Sequence, residues 1–136
     1  MKVIHKEVEN SYTIRFSKNI KSFINKQKSI YSKIAIVSDT NIWTLYSKSL
    51  PSKGILNINI KPGEKSKSIR VKNQIEEELL KNNFNRKSLI IAIGGGVVGD
   101  LTAYTASTFM RGVDLIHIPT SLVAIVDSSI GGKTAI

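Results

Sequence analysis

Apolar and polar residues succeed one another along the chain in two rhythms: short continuous or alternating apolar runs, and longer stretches with a period near 3.6. That succession predicts strands alternating with helices. Lys2 to His5 and Tyr12 to Phe16, separated by Glu9-Asn10-Ser11, read as an opening strand pair. Ile20, Phe23, Ile24 and Gln27 fall at helical spacing, and Ile34-Ala35-Ile36-Val37 is a short strand of the buried type ending in Ser38-Asp39-Thr40-Asn41. Those four residues suit a helix start, and Ile42, Leu45 and Tyr46 continue the helix toward Pro51. Ile55 to Ile60 alternates as a strand should, and Lys61-Pro62-Gly63 breaks the chain. From Ser66, the positions Val71, Ile75, Leu79, Leu80 and Phe84 define a long amphipathic helix with Glu77 and Lys81 spaced as an i,i+4 pair.

Leu89 to Ile93 is a continuous apolar run that suits a strand covered on both faces, and Gly94 stops it. A helix from about Val97 to Met110, a strand from Val113 to Ile118 and a helical stretch from Thr120 to Val126 complete the pattern. The order predicts an α/β fold, a Rossmann-like parallel sheet with flanking helices, as one domain spanning 1–136.

Composition narrows this picture. The 136 residues carry 20 Lys and Arg against 10 Asp and Glu, a net charge of +10, and 41% are hydrophobic, enough for a core and too many for a disordered basic tail. The absence of Cys excludes a disulfide framework, a thiol nucleophile and a Cys-based metal site, and with no secretory signal it suggests the cytoplasm. No apolar stretch approaches the roughly 18 residues of a membrane span. Residues 1–88 hold eighteen Lys and Arg and seven Asp and Glu, whereas residues 89–136 hold only Arg111 and Lys133 against Asp100, Asp114 and Asp127. The lysines are scattered and Arg is scarce, so they read as a solvated surface, with a basic nucleic-acid-binding domain as the rival reading from another class.

In such a sheet ligands bind beyond the carboxyl ends of the strands. Three consecutive strand ends carry polar or glycine-rich segments: Ser38 to Asn41, Pro62 to Lys67, and Gly94-Gly95-Gly96-Val97-Val98-Gly99-Asp100. The last fits G-x-G-x-x-G at Gly94, Gly96 and Gly99 between a strand and a helix, where backbone N–H groups and the helix dipole can meet a pyrophosphate. It follows the third strand of the α/β run instead of the first, and Asp114 begins a strand instead of ending one, so a simple dehydrogenase fingerprint fits poorly. Gly131-Gly132-Lys133-Thr134 looks like the end of a phosphate-binding loop, but Asp127 stands where the first glycine belongs. Lys133 remains a mobile cation for a phosphate or carboxylate, and Asp127 an acceptor for hydroxyls, with a solvated loop as the plain alternative. Arg111 before Gly112 reads equally as a helix C-cap cation, and His117 as a hydrogen-bonded sheet residue. His5 and His117 form no local metal pair.

Gly94 to Asp100, Arg111-Gly112, Pro119-Thr120 and Val126-Asp127-Ser128-Ser129-Ile130-Gly131-Gly132-Lys133-Thr134 together resemble the 3-dehydroquinate synthase family. The resemblance is dense over residues 89–136, and Ser38 to Asn41 and Gly63 to Lys67 extend it. It implies an NAD- and metal-dependent carbon–oxygen lyase that converts a seven-carbon keto sugar-acid phosphate, DAHP, into 3-dehydroquinate and phosphate. Carried over by position, Asp39 and Asn41 face the adenosine end of NAD and Gly63, Glu64, Lys65, Ser66 and Lys67 its ribose. Gly95, Gly96, Val97, Val98, Gly99 and Asp100 hold the pyrophosphate and nicotinamide side, near Thr120 and Ser121. Ser121 replaces the family's second Thr and keeps the hydroxyl. Asp127 would bind substrate hydroxyls and Lys133 its anionic groups, while Arg111 reaches a neighbouring subunit, which implies a homodimer.

The family's helical second domain, with its ligands for zinc or cobalt, is not in this sequence. The chain is therefore expected to be the amino-terminal cofactor part, with weak NAD binding and no turnover alone. A related sugar-phosphate cyclase or a glycerol-dehydrogenase-like oxidoreductase is the nearest alternative.

Overall fold

The computed structural model describes residues 2–6, 11–130, 132 and 134–136. Strands β1 (Lys2–Lys6) and β2 (Ser11–Arg15) pair antiparallel in a sheet of their own, with Lys2 opposite Arg15. After α1 (Ile20–Gln27) the chain alternates: β3 (Ile34–Asp39), α2 (Thr40–Tyr46), β4 (Ile55–Ile60), α3 (Ile69–Lys81), β5 (Leu89–Gly94), α4 (Gly96–Thr108) and β6 (Asp114–Pro119). The four later strands form a parallel sheet in the order β4-β3-β5-β6, in which Ile34 lies between Ile55 and Leu89, and Leu89 pairs onward with Asp114. The Rossmann-like expectation holds.

β3 and β5 are central and covered on both faces, which is why their sequences run apolar without alternation. One face packs Ala35, Val37, Ile90 and Ala92 against Ile75 and Leu79 of α3 and Val98 and Leu101 of α4. The other packs Ile34, Ile36, Leu89, Ile91 and Ile93 against Ile24 of α1, Leu50 and the partly buried Trp43. Each fully buried large aliphatic side chain contributes about 1.5–3 kcal/mol. Tyr31 Oη donates to Asp114 Oδ2 at 2.8 Å and ties the entry of β3 to the start of β6. No helix among the described residues is long and apolar enough to cross a membrane.

Several boundaries differ from the periodic pattern for local reasons. The helix expected from Ser66 starts at Ile69, because Glu64–Ser66 close a 3₁₀ turn and Ser68 Oγ accepts the Val71 N–H as the true cap. α2 ends at Tyr46 and gives way to a 3₁₀ turn, Ser47–Ser49, before Pro51. Lys81 pairs with Glu78 at 3.2 Å and not with Glu77, and the i,i+4 pair on α3 is Lys72–Glu76 at 2.7 Å. α4 stops at Thr108, and the chain then turns through Met110 (φ 52°), Arg111 (φ 68°) and Gly112 (φ 106°) while Phe109 stays buried.

The expected helical stretch after β6 is present in an irregular form. It passes into a π-helical turn, Ala124–Ser128, where Ser129 N–H and Ser129 Oγ both reach back to the Ala124 carbonyl at 3.1 and 2.6 Å. π turns of this kind are rare and concentrate at functional sites.

Candidate functional site: a dinucleotide cradle

From β3 the chain crosses to β4 on one side of the sheet, and from β5 it crosses to β6 on the other. β3 and β5 are neighbours, so their carboxyl ends, Asp39 and Gly94, flank the point where the winding reverses. Connections diverge there and leave a crevice. The glycine turn sits at that crevice, and crowding by Val98 explains the first of its glycines. A Cβ on Gly94 would fall 2.6 Å from Val98 Cβ and Cγ2. A Cβ on Gly95 would stand 3.4 Å from Ser121 Oγ, and one on Gly96 3.4 Å from Ser128 Oγ. A Cβ on Gly99 would stand in ordinary contact with β6, 3.4 Å from His117 Nδ1.

The amino end of α4 differs chemically from the other three. Asn19 caps α1, Asp39 caps α2 and Ser68 caps α3 through side-chain oxygens, whereas Gly95 offers no side-chain cap to α4. No acid occupies the first turn. Uncapped N–H groups at the positive end of a 13-residue helix suit an anion. With backbone exposed where a side chain would fill the space, the residues present fit a dinucleotide diphosphate.

The second segment closes over the same turn. Lys67 Nζ bonds Asp100 Oδ2 at 2.8 Å and lies 3.9 Å from Glu64 Oε1. The hydrogen bond to Asp100 raises the lysine pKa above its ordinary value, partly opposed by burial and assisted by the charges of Asp100 and Glu64. Ser66 Oγ donates to the Lys61 carbonyl at 2.6 Å and shapes the turn that follows Gly63 (φ 99°). Thr134 Oγ1 donates to the Asp100 carbonyl at 2.5 Å, which brings the last described residues onto α4. Asp39 uses a single oxygen, Oδ1, to accept the Asn41 and Ile42 N–H groups at 2.9 and 3.0 Å. Ser121 Oγ likewise accepts the Ala124 N–H at 3.2 Å.

Asp39 and Asn41, Gly63 to Lys67, Gly95 to Asp100, and Thr120 and Ser121 therefore collect at the carboxyl end of the sheet, with Asp127 on the π turn beside Ser128. Lys133 lies outside the described residues. Arg111 does not join the cluster, since the length of α4, about 20 Å at 1.5 Å per residue, separates it from Gly96.

Three residues were given no role by sequence reasoning. Ser128 and Thr134 lie within the Val126–Thr134 run that carried the resemblance, so their signal was present but unassigned. His117, expected to be hydrogen-bonded in its strand, has a ring without a hydrogen bond among the described residues and packs against Gly99 of α4. Burial lowers its pKa below the ordinary histidine value, and the charge of Asp100 works the other way. Among the described residues no group of three or more His, Asp or Glu could hold a metal ion, so the metal implied by the resemblance does not fit here.

Strand order and crossovers define a doubly wound, Rossmann-like α/β domain. The profile described as "3-dehydroquinate synthase N-terminal" matches residues 57–136, and the chain belongs to that family. It is 42% identical over 137 aligned positions to the 3-dehydroquinate synthase of Clostridium kluyveri, covering 94% of this chain and 38% of that protein. It is 47% identical to the pentafunctional AROM polypeptide of Kluyveromyces lactis, covering 86% of this chain and 8% of that one. The 2-epi-5-epi-valiolone synthase of Streptomyces hygroscopicus, solved with NAD+ and Zn2+ bound, superposes with a TM-score of 0.81 at 22% identity over 98% of this chain and 39% of that one. The last likeness establishes the fold. The chain spans about two fifths of the length of the curated 3-dehydroquinate synthases it matches.

Proposed function

We propose that residues 1–136 are the dinucleotide-binding part of a 3-dehydroquinate synthase, a carbon–oxygen lyase that converts DAHP into 3-dehydroquinate and phosphate. The observation that carries this reading is the uncapped glycine turn at the winding reversal, roofed by Lys67 and Asp100. Identity of 42% to a 3-dehydroquinate synthase supports DAHP as the substrate of the whole protein.

NAD, when bound, would supply a reversible hydride acceptor for a ring hydroxyl. The N–H groups of Gly95 to Val98 would hold its diphosphate, Asp39 and Asn41 its adenosine, Gly63 to Lys67 its ribose, and Asp100, Thr120 and Ser121 its nicotinamide side. Asp127 would accept hydrogen bonds from substrate hydroxyls and Lys133 would pair with the substrate's anionic groups. Arg111, at the far end of α4 from the cradle, would serve a second subunit, so the whole enzyme is read as a homodimer in the cytoplasm.

The zinc or cobalt ligands would come from a further, helical domain. Leu122, Val123 and Val126, exposed at the same end of the sheet, supply apolar surface for it. The lysine-rich first half is read as solvated surface and not as a nucleic-acid site.

NAD titrated into the chain, followed by DAHP with Zn2+ or Co2+, tests this. Weak NAD binding without phosphate release is expected. No NAD binding at millimolar concentration overturns the cradle, and phosphate release by the chain alone overturns the need for a second domain.

A further inference from the structure

Resting on the dinucleotide reading above, we propose that His117 is the proton-linked neighbour of the bound diphosphate: the ligand's negative charge draws a proton onto the imidazole, so the dinucleotide binds more tightly as the pH falls through the histidine range. His117 lies in β6 opposite Ala92, on the face of the sheet that α4 covers. Its Nδ1 and Cε1 come within 3.4 and 3.5 Å of where a Gly99 Cβ would be, so the ring packs against the first turn of the helix whose amino end forms the cradle.

Among the described residues the charged groups around the ring are few. α4 contributes Asp100, and the turn over the cradle contributes Lys67, already paired with Asp100 at 2.8 Å. β5 contributes Ala92 and Gly94, which do not titrate. The last described residues contribute the neutral Thr134. Asp39, Glu64 and Asp127 are the other acids at this end of the sheet.

With Lys67 offsetting Asp100, burial and the helix dipole keep the free imidazole neutral at pH 7. No hydrogen bond among the described residues commits either ring nitrogen, so the ring is free to take a proton when the local field changes. A diphosphate on the N–H groups of Gly95 to Val98 brings two negative charges within roughly two turns of the ring. By linkage, a ligand that favours the protonated ring is itself favoured by protonation. A charge pair at that range in a half-solvated site changes affinity by about threefold to tenfold.

The experiment is a calorimetric titration of NAD into the chain between pH 5.5 and 7.5, near pH 6 in buffers of different ionisation enthalpy, for the parent and His117→Gln. The parent should take up a fraction of a proton on binding and gain about threefold to tenfold in affinity across the range. His117→Gln should bind NAD with neither effect. An unchanged pH dependence in His117→Gln, or none in the parent, overturns the proposal.

The chain has only two histidines, so the C2–H signals of His5 and His117 can be followed by NMR in the parent if the variant fails to fold. A His117 pKa that rises on adding NAD supports the linkage, and an unmoved one overturns it. NAD that binds without protonating His117 sinks the linkage alone, whereas NAD that does not bind at any pH sinks the cradle and the linkage with it.

Discussion

α3 and α4 are each 13 residues long and pack on the same face of the sheet, yet they are built on different principles. α3 starts on the Ser68 hydroxyl, carries the Lys72–Glu76 and Lys81–Glu78 pairs and fully buries only Ile75 and Leu79, so it reads as an amphipathic helix complete in itself. α4 starts on a bare glycine, has no acid in its first turn or base in its last, and buries Val98, Gly99, Leu101, Thr102, Thr105 and Ala106. Thr105 Oγ1 satisfies itself on the Leu101 carbonyl at 2.8 Å, while Thr102 Oγ1 is buried without a partner among the described residues. α3 draws its stability from both ends and one stripe. α4 draws it from packing and leaves its amino end for a ligand.

Substitutions can break that contrast, and the largest effect on stability belongs to α3. Leu79→Ala removes a fully buried side chain and should cost about 2–5 kcal/mol in urea unfolding, with NAD affinity of the folded protein unchanged. Gly94→Ala forces a methyl into Val98 and should cost about 1–3 kcal/mol while also weakening NAD binding, because the turn must shift. Ser68→Ala removes the α3 cap for about 1 kcal/mol and should leave NAD binding alone.

Gly95→Asp tests the idea at the other helix. It should change stability by only a few tenths of a kcal/mol, yet lower NAD affinity at least tenfold by filling the cradle with a like charge, in the order of ~1.4 kcal/mol or more. The smallest effect is the acid limb. With the folded His117 pKa below its unfolded value, the unfolded chain binds more protons as the pH falls below about 6.5, so stability is lost there. His117→Gln should flatten that slope in thermal melts between pH 6.5 and 5.

β5 and α3 were legible in the sequence because each is governed by a strong local rule: a run of apolar residues for a strand covered twice, and a 3.6-residue stripe for a helix covered once. The glycine turn was legible for a similar reason, since its residues must lie between a strand and a helix to act. Ion-pair choice was not, because Glu77 and Glu78 are both within reach of Lys81 and only rotamer and packing select Glu78. The π turn holding Asp127 was not legible either. It depends on Ser121 and Ser129 competing for backbone groups, which hydrophobic periodicity does not register.

By itself the sequence determined the alternation of strands and helices, the glycine-rich approach to a helix start, and the Asp127 to Lys133 run that marks the family. Those features are local, set by side-chain period and by backbone freedom at glycine. Tertiary structure alone decided that Lys67 meets Asp100 and that His117 lies under Gly99. Each of these depends on which strands become neighbours in the β4-β3-β5-β6 order, and that order is chosen by burial of the whole sheet, not by any stretch of chain.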